Sequence, residues 1–122
     1  IGTLASRILD KKFYDNQSVV KVKTKEELSH KNFPEAIYFE RKTLKKDINI
    51  YHHMGVYCYE VETLKDFVSY KQSPNEAKYK LEQLRAIENK IKINVALAKS
   101  HSIGIDTKED FVAIKKIMEY KT

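Results

Sequence analysis

The sequence predicts an α/β layer structure in which helices cover a mixed sheet. Three observations carry this. Period-2 runs recur at residues 19–24, 36–41, 51–59 and 91–98. Runs with helical spacing fall between and after them, at 62–70, from Ser73 onward and from Thr107 onward. Finally, Ser73-Pro74-Asn75-Glu76 is a helix start signal, with Ser as N-cap, Pro at the first helical position and Glu three residues after the cap. A chain of 122 residues suits one domain with a real core, and is too short for two.

Taken in order, residues 3–9 read as a strand and Lys11 to Gln17 as a polar connection, in which Asp15-Asn16 can close a turn on the backbone. Val20 and Val22 then alternate with Lys21 and Lys23, as in a half-exposed strand. Lys25 to Pro34 is polar and connecting. In the strand Ala36 to Arg41, Ile37 and Phe39 face one way, Tyr38 and Glu40 the other. Lys42 to Asp47 is too charged for core. After the Tyr51 to Tyr59 strand the period changes: Leu64, Phe67 and Val68 share a helix face, and Ala77, Leu81 and Leu84 form the buried stripe of the helix begun at Ser73. In the run 91–98, Ile91, Ile93, Val95 and Leu97 oppose Lys92, Asn94, Ala96 and Ala98. Ser102 to Asp106 is a loop into a last helix, capped by Thr107 with Asp110 at the third position, whose apolar face is Phe111, Ile114, Ile117 and Met118.

Composition narrows the function classes. Hydrophobic residues make up 42% and charged residues 33%, and no apolar run is long enough to span a bilayer, so no membrane role is expected. The net charge of +6 comes from 20 Lys and only 3 Arg, spread along the chain, which argues against nucleic acid as the partner. Cys58 is the only cysteine, so no internal disulfide forms and a reducing compartment is expected. The chain opens on Ile1-Gly2-Thr3-Leu4-Ala5, which reads as the middle of a strand without an initiating Met or the order of a secretory leader; further residues are expected before it.

Tyr51 to Tyr59 holds the densest chemistry. Its alternation puts Tyr51, His53, Gly55, Tyr57 and Tyr59 on one face and His52, Met54, Val56 and Cys58 on the other. Gly55 leaves an open patch between His53 and Tyr57, separated by about 13 Å at the usual strand rise, where a polar small molecule fits. A half-buried strand whose Tyr hydroxyls reach water accounts for the same pattern without a ligand.

Several stretches together resemble the second half of the 3-deoxy-manno-octulosonate (Kdo) cytidylyltransferase family, the CMP-Kdo synthetases. They are Ile1 to Ala5, Val19-Val20-Lys21-Val22, Ala36 to Arg41, His53-Met54-Gly55-Val56-Tyr57, Ser73-Pro74, Leu81-Glu82-Gln83-Leu84-Arg85 and Gly104 to Asp110. The resemblance implies the C-terminal part of a nucleotide-diphospho-sugar transferase fold, which is Rossmann-like, with residues 1–122 as the sugar-binding and dimerisation half of one domain. It also implies a Mg²⁺-dependent, cytoplasmic homodimer that transfers CMP from CTP to Kdo for lipopolysaccharide biosynthesis. By likeness of motif, Arg41, His53, Tyr57, Glu82 and Gln83 line the sugar site and Asp106 is a metal ligand. The residue types suit these roles, since a guanidinium matches the sugar carboxylate and the others match hydroxyls, while Mg²⁺ prefers carboxylate oxygens.

Each residue also has a plain structural role: Asp106 can complement a helix dipole, Glu82 and Arg85 can pair on a surface, and Arg41 can be solvated. The family's basic phosphate-gripping loop and Gln-Gly-Asp motif have no counterpart here, so the fragment alone is expected to be inactive. Glu40 stands where the family usually has Ser. Two readings of other classes stand beside this one: an inactive remnant or interaction module that keeps the fold and dimer surface, and a basic nucleic-acid-binding domain.

Overall fold

The computed structural model describes residues 1–42, 48–100 and 104–120. Of the stretches read above, 43–47 of the charged run and Ser102-Ile103 of the last loop lie outside the described residues. The elements run β1 (Gly2–Ser6), α1 (Lys12–Asp15), β2 (Lys21–Thr24), β3 (Ala36–Glu40), β4 (Ile50–Cys58), α2 (Val61–Ser69), α3 (Pro74–Tyr79), α4 (Gln83–Glu88), β5 (Asn94–Leu97) and α5 (Lys108–Tyr120). The strands form one sheet in the order β3-β2-β4-β1-β5, antiparallel except for β1 beside β5. The sheet is mixed, as the sequence predicts.

One face of the sheet supplies Ala5, Val22, Phe39, Tyr51 and Val95 to the core, and Phe67, Leu81 and Ala86 of the helical segment cover them. Burying such side chains is what stabilises the layer pair. On the opposite face α1 brings Phe13 onto His52, with ring centroids 5.6 Å apart and nearly parallel. The Tyr51 hydroxyl is not at the surface: it is buried and accepts from Leu28 N–H at 2.9 Å, pinning the β2 to β3 connection.

Several expectations are corrected. β1 ends at Ser6, not residue 9, because pairing with β4 and β5 stops there, leaving Leu9 exposed. The polar connection contains the single turn α1, held by Asp10 Oδ1 accepting from Lys12 N–H; Asn16 closes the following turn through Ser18 N–H. Ile37 does not share an inward face with Phe39, because the β2–β3 register shifts there and turns it outward. Lys21 is only 1% exposed, its ammonium donating to the carbonyl oxygens of Asn16 and Arg41. In α2 only Phe67 of the expected face is buried; Leu64 and Val68 are exposed.

The helix expected from Ser73 through Leu84 is two helices. Its start is as expected: Ser73 Oγ accepts from Glu76 N–H and Glu76 Oε2 accepts from Ser73 N–H. It stops at Lys80, which takes φ 55° and ψ 45°, the left-handed region, and the chain restarts as α4. The break turns Ala77 outward and buries Glu76 instead. Glu76 then receives Arg85 in a two-pronged ion pair, Nε at 2.8 Å and Nη2 at 2.6 Å, with the guanidinium 5.1 Å from the Phe67 ring centroid. Arg85 therefore pairs with Glu76 rather than Glu82. β5 is shorter than expected, Asn94–Leu97, though Ile93 and Val95 point inward as predicted.

The last helix also starts as predicted, Thr107 Oγ1 accepting from Asp110 N–H and Asp110 Oδ2 from Thr107 N–H. It does not cover the sheet. None of its residues is buried, and Phe111, Ile117 and Met118 of the expected apolar face are exposed.

Candidate functional site

A cavity of about 820 Å³ opens beside the second half of β4, a size typical of small-molecule sites. Arg41, His53, Tyr57, Glu82, Gln83 and Asp106 all line it, brought together from the end of β3, from β4, from the α3–α4 elbow and from the approach to α5. Tyr59, Phe67, Lys80 and Asp110 line it as well; the sequence marks Phe67 as core and Asp110 as a cap, and Lys80 only as a residue at the rim where the family tends to be acidic.

The geometry of β4 comes from a bulge. Thr3 pairs with Tyr57 and Leu4 with Met54, so Gly55 and Val56 are extra residues on the β4 side. Thr3 closes the bulge, its hydroxyl lying 2.8 Å from Val56 O and 3.3 Å from Met54 O. The loop-out draws His53 and Tyr57 together, with ring centroids 5.5 Å apart rather than the roughly 13 Å expected along a regular strand. Gly55 still faces open space: a Cβ there would meet nothing within 4 Å.

His53 is buried, edge-on to Phe39 at 4.9 Å, and its Nε2 is 2.8 Å from Thr3 Oγ1. Because the hydroxyl proton goes to Val56 O, Nε2 carries the hydrogen and donates to Thr3, leaving Nδ1 as the acceptor; the tautomer is assigned from this network. Burial, helped by neighbouring His52, lowers the His53 pKa to about 4, so the ring is neutral in ordinary buffers. Burial likewise raises the Tyr57 pKa, with Tyr59 and Glu82 adding to it, and the same burial and Glu82 raise Tyr59. Both remain phenols that can donate as well as accept. The rings of Tyr57, Tyr59 and Phe67 follow at 6.0 Å steps, forming an aromatic wall.

Gln83 is 8% exposed and lines the cavity. An amide in a cavity wall offers a ligand both a donor and an acceptor. Arg41 donates Nε to Tyr79 O and Nη2 to Lys80 O, each at 3.2 Å, which fixes the guanidinium against the elbow; Glu40 does not engage it.

The metal reading can be tested on the acidic residues. Asp110 is spent on capping: it accepts from Asp106 and Thr107 N–H at 3.1 Å each, and these bonds with Thr107 hold its pKa below the usual carboxylate range. Asp106 is exposed, lines the cavity, and among the described residues its carboxylate accepts no hydrogen bond. No cluster of three metal-ligating side chains exists among the described residues. One carboxylate offers a divalent cation a single oxygen ligand and needs a second from elsewhere.

No helix among the described residues is long and apolar enough to cross a membrane. No family model matches the chain. Over 119 residues it is 39% identical to the 3-deoxy-manno-octulosonate cytidylyltransferase of Bartonella henselae, covering 97% of this chain and 48% of that protein. The enzyme of that name from Thermodesulfovibrio yellowstonii is 40% identical over 129 residues, with the same coverage of both. Among solved structures, CMP:2-keto-3-deoxy-manno-octonic acid synthetase complexed with CTP superposes with a TM-score of 0.81 at 24% identity, over 99% of this chain and 49% of that one. The fold is therefore shared with that synthetase, and the chain spans about half the length of the curated relatives it matches.

Proposed function

We propose that this chain is the C-terminal, sugar-binding half of a cytidylyltransferase that transfers CMP from CTP to Kdo and releases pyrophosphate. The observation that carries it is convergence. Six residues spread from position 41 to 106 line one cavity, and one of them, Arg41, is held by backbone carbonyls rather than by an acidic side chain. In this reading Arg41 receives the sugar carboxylate, His53 Nδ1, Glu82 and Gln83 take hydroxyls, and Tyr57 offers its phenol as donor or acceptor.

The bond that forms joins the anomeric oxygen of the sugar to the α-phosphorus of CTP, while the bond to the pyrophosphate oxygen breaks. No protein nucleophile is required, and rate comes from holding the hydroxyl in line with the phosphate. Asp106 would be one ligand of a Mg²⁺ ion, which when bound offsets charge on the phosphates. In this reading most of the CTP contacts belong to the half of the enzyme outside these 122 residues. The same reading puts the protein in the cytoplasm as a homodimer and its product in lipopolysaccharide biosynthesis; an exposed, unbridged Cys58 is compatible with a reducing compartment.

The test is pyrophosphate release by the full-length protein given CTP, Kdo and Mg²⁺, together with Kdo titrations read at the His53 and Tyr57 NMR signals. Release with both signals shifted supports the enzyme. Shifts without release point to an inactive remnant that retains the sugar site, and unmoved signals at saturating Kdo reject the sugar site itself.

A further inference from the structure

Lys80 is a residue that neither its helix nor its neighbours fully account for. It closes α3 in the left-handed region, φ 55°, a conformation that glycine adopts freely and a lysine does not. A cation at a helix C-terminus complements the dipole, which is an ordinary reason for a lysine there. The chain contains a built-in control: Lys90, just past α4, has φ 60° in the same kind of position and does not line the cavity. Conformation and helix dipole are common to both; the cavity belongs to Lys80.

Arg41 is tied to the same turn. Its guanidinium donates to the backbone carbonyl oxygens of Tyr79 and Lys80, so both residues belong to the same stretch of the cavity lining. Among the described residues neither forms an ion pair. Two cationic residues lining one cavity favour an anion placed between them.

We infer that Lys80 is a second anion-binding residue of the site and, with Arg41, receives the carboxylate of an acidic sugar. This deepens the function proposed above and rests on it. The contact is charge-assisted and uses a side chain whose removal leaves the elbow intact, since glycine fits the left-handed turn better than lysine does.

The experiment measures Kdo affinity by calorimetry on the full-length protein, for the parent and for Lys80→Gly, Lys80→Arg and Lys90→Gly, with melting temperatures alongside and CTP as a second ligand. The expected result is that Lys80→Gly weakens Kdo binding about tenfold, without a fall in melting temperature, while Lys80→Arg restores most of it and Lys90→Gly leaves it unchanged. Equal Kdo affinity in Lys80→Gly and parent overturns the assignment while leaving the sugar-site reading in place. Loss of CTP affinity with Kdo affinity intact overturns the carboxylate and assigns Lys80 to phosphate. A parent protein that binds no Kdo rejects the sugar site, and this inference with it.

Discussion

The α3–α4 segment and α5 begin with the same local chemistry and end in opposite surroundings. Ser73 with Glu76, and Thr107 with Asp110, are both reciprocal caps in which a hydroxyl takes the third N–H and an acid reaches back to the cap. In the first case the acid is also buried and receives Arg85, and the helices close over Phe67, Leu81 and Ala86. In the second the acid is near the surface and the helix leaves Phe111 and Met118 exposed. A cap fixes where a helix starts; which surface it meets is decided by tertiary packing.

The sharpest way to press this difference is to remove matched aromatics. Phe67→Ala should destabilise the chain by about 3–5 kcal/mol in urea unfolding, whereas Phe111→Ser, on an unburied helix, should stay within about 0.5 kcal/mol and improve solubility. A large effect at Phe111 would mean that α5 is packed in solution. The acids give the next contrast: Glu76→Gln, which strands Arg85, should lower the melting temperature by on the order of 10 °C. Asp110→Asn should loosen only α5, visible as faster amide exchange at its first turn with the global transition unmoved.

On the packed side the pH response is distinctive. Unfolded His53 titrates near 6.5 and folded His53 near 4, so below 6.5 the unfolded chain binds the proton that the folded chain refuses. Stability should be full above pH 6.5 and fall by roughly 3 kcal/mol as pH drops toward 4; in His53→Gln, which can keep the bond to Thr3, that slope should disappear from the urea midpoints. The smallest effect is at Gly55. Open space around it and an ordinary φ mean that Gly55→Ala should change stability by less than about 0.5 kcal/mol, and a loss of Kdo affinity in that variant would show the open patch to be part of the ligand's footprint.

The contrast also explains what the sequence could disclose. Caps and strand identities depend on near neighbours and were readable; the list Arg41, His53, Tyr57, Glu82, Gln83 and Asp106 came from motif likeness, and its members line one cavity. The bulge at Gly55-Val56 was not readable, because it depends on Thr3, more than fifty residues earlier, stitching carbonyls that period counting treats as regular. Lys21 looked solvated for a similar reason: its partners are backbone oxygens at Asn16 and Arg41, which have no signature in composition. The elbow at Lys80 lacked the glycine that normally announces a left-handed stop, so one long helix was the natural reading.

The sheet order has a consequence for synthesis. β1 lies between β4 and β5, and Ile1 N–H donates to the carbonyl of Lys92, ninety-one positions away. Such high contact order slows folding, since long loops must close before any reward arrives. At ribosomal speeds of about 5–20 residues per second, β1 waits several seconds for its parallel neighbour to be translated. During that interval the edge of β1 that β5 will cover stays open, a row of unpaired N–H and C=O groups ready to pair with another chain.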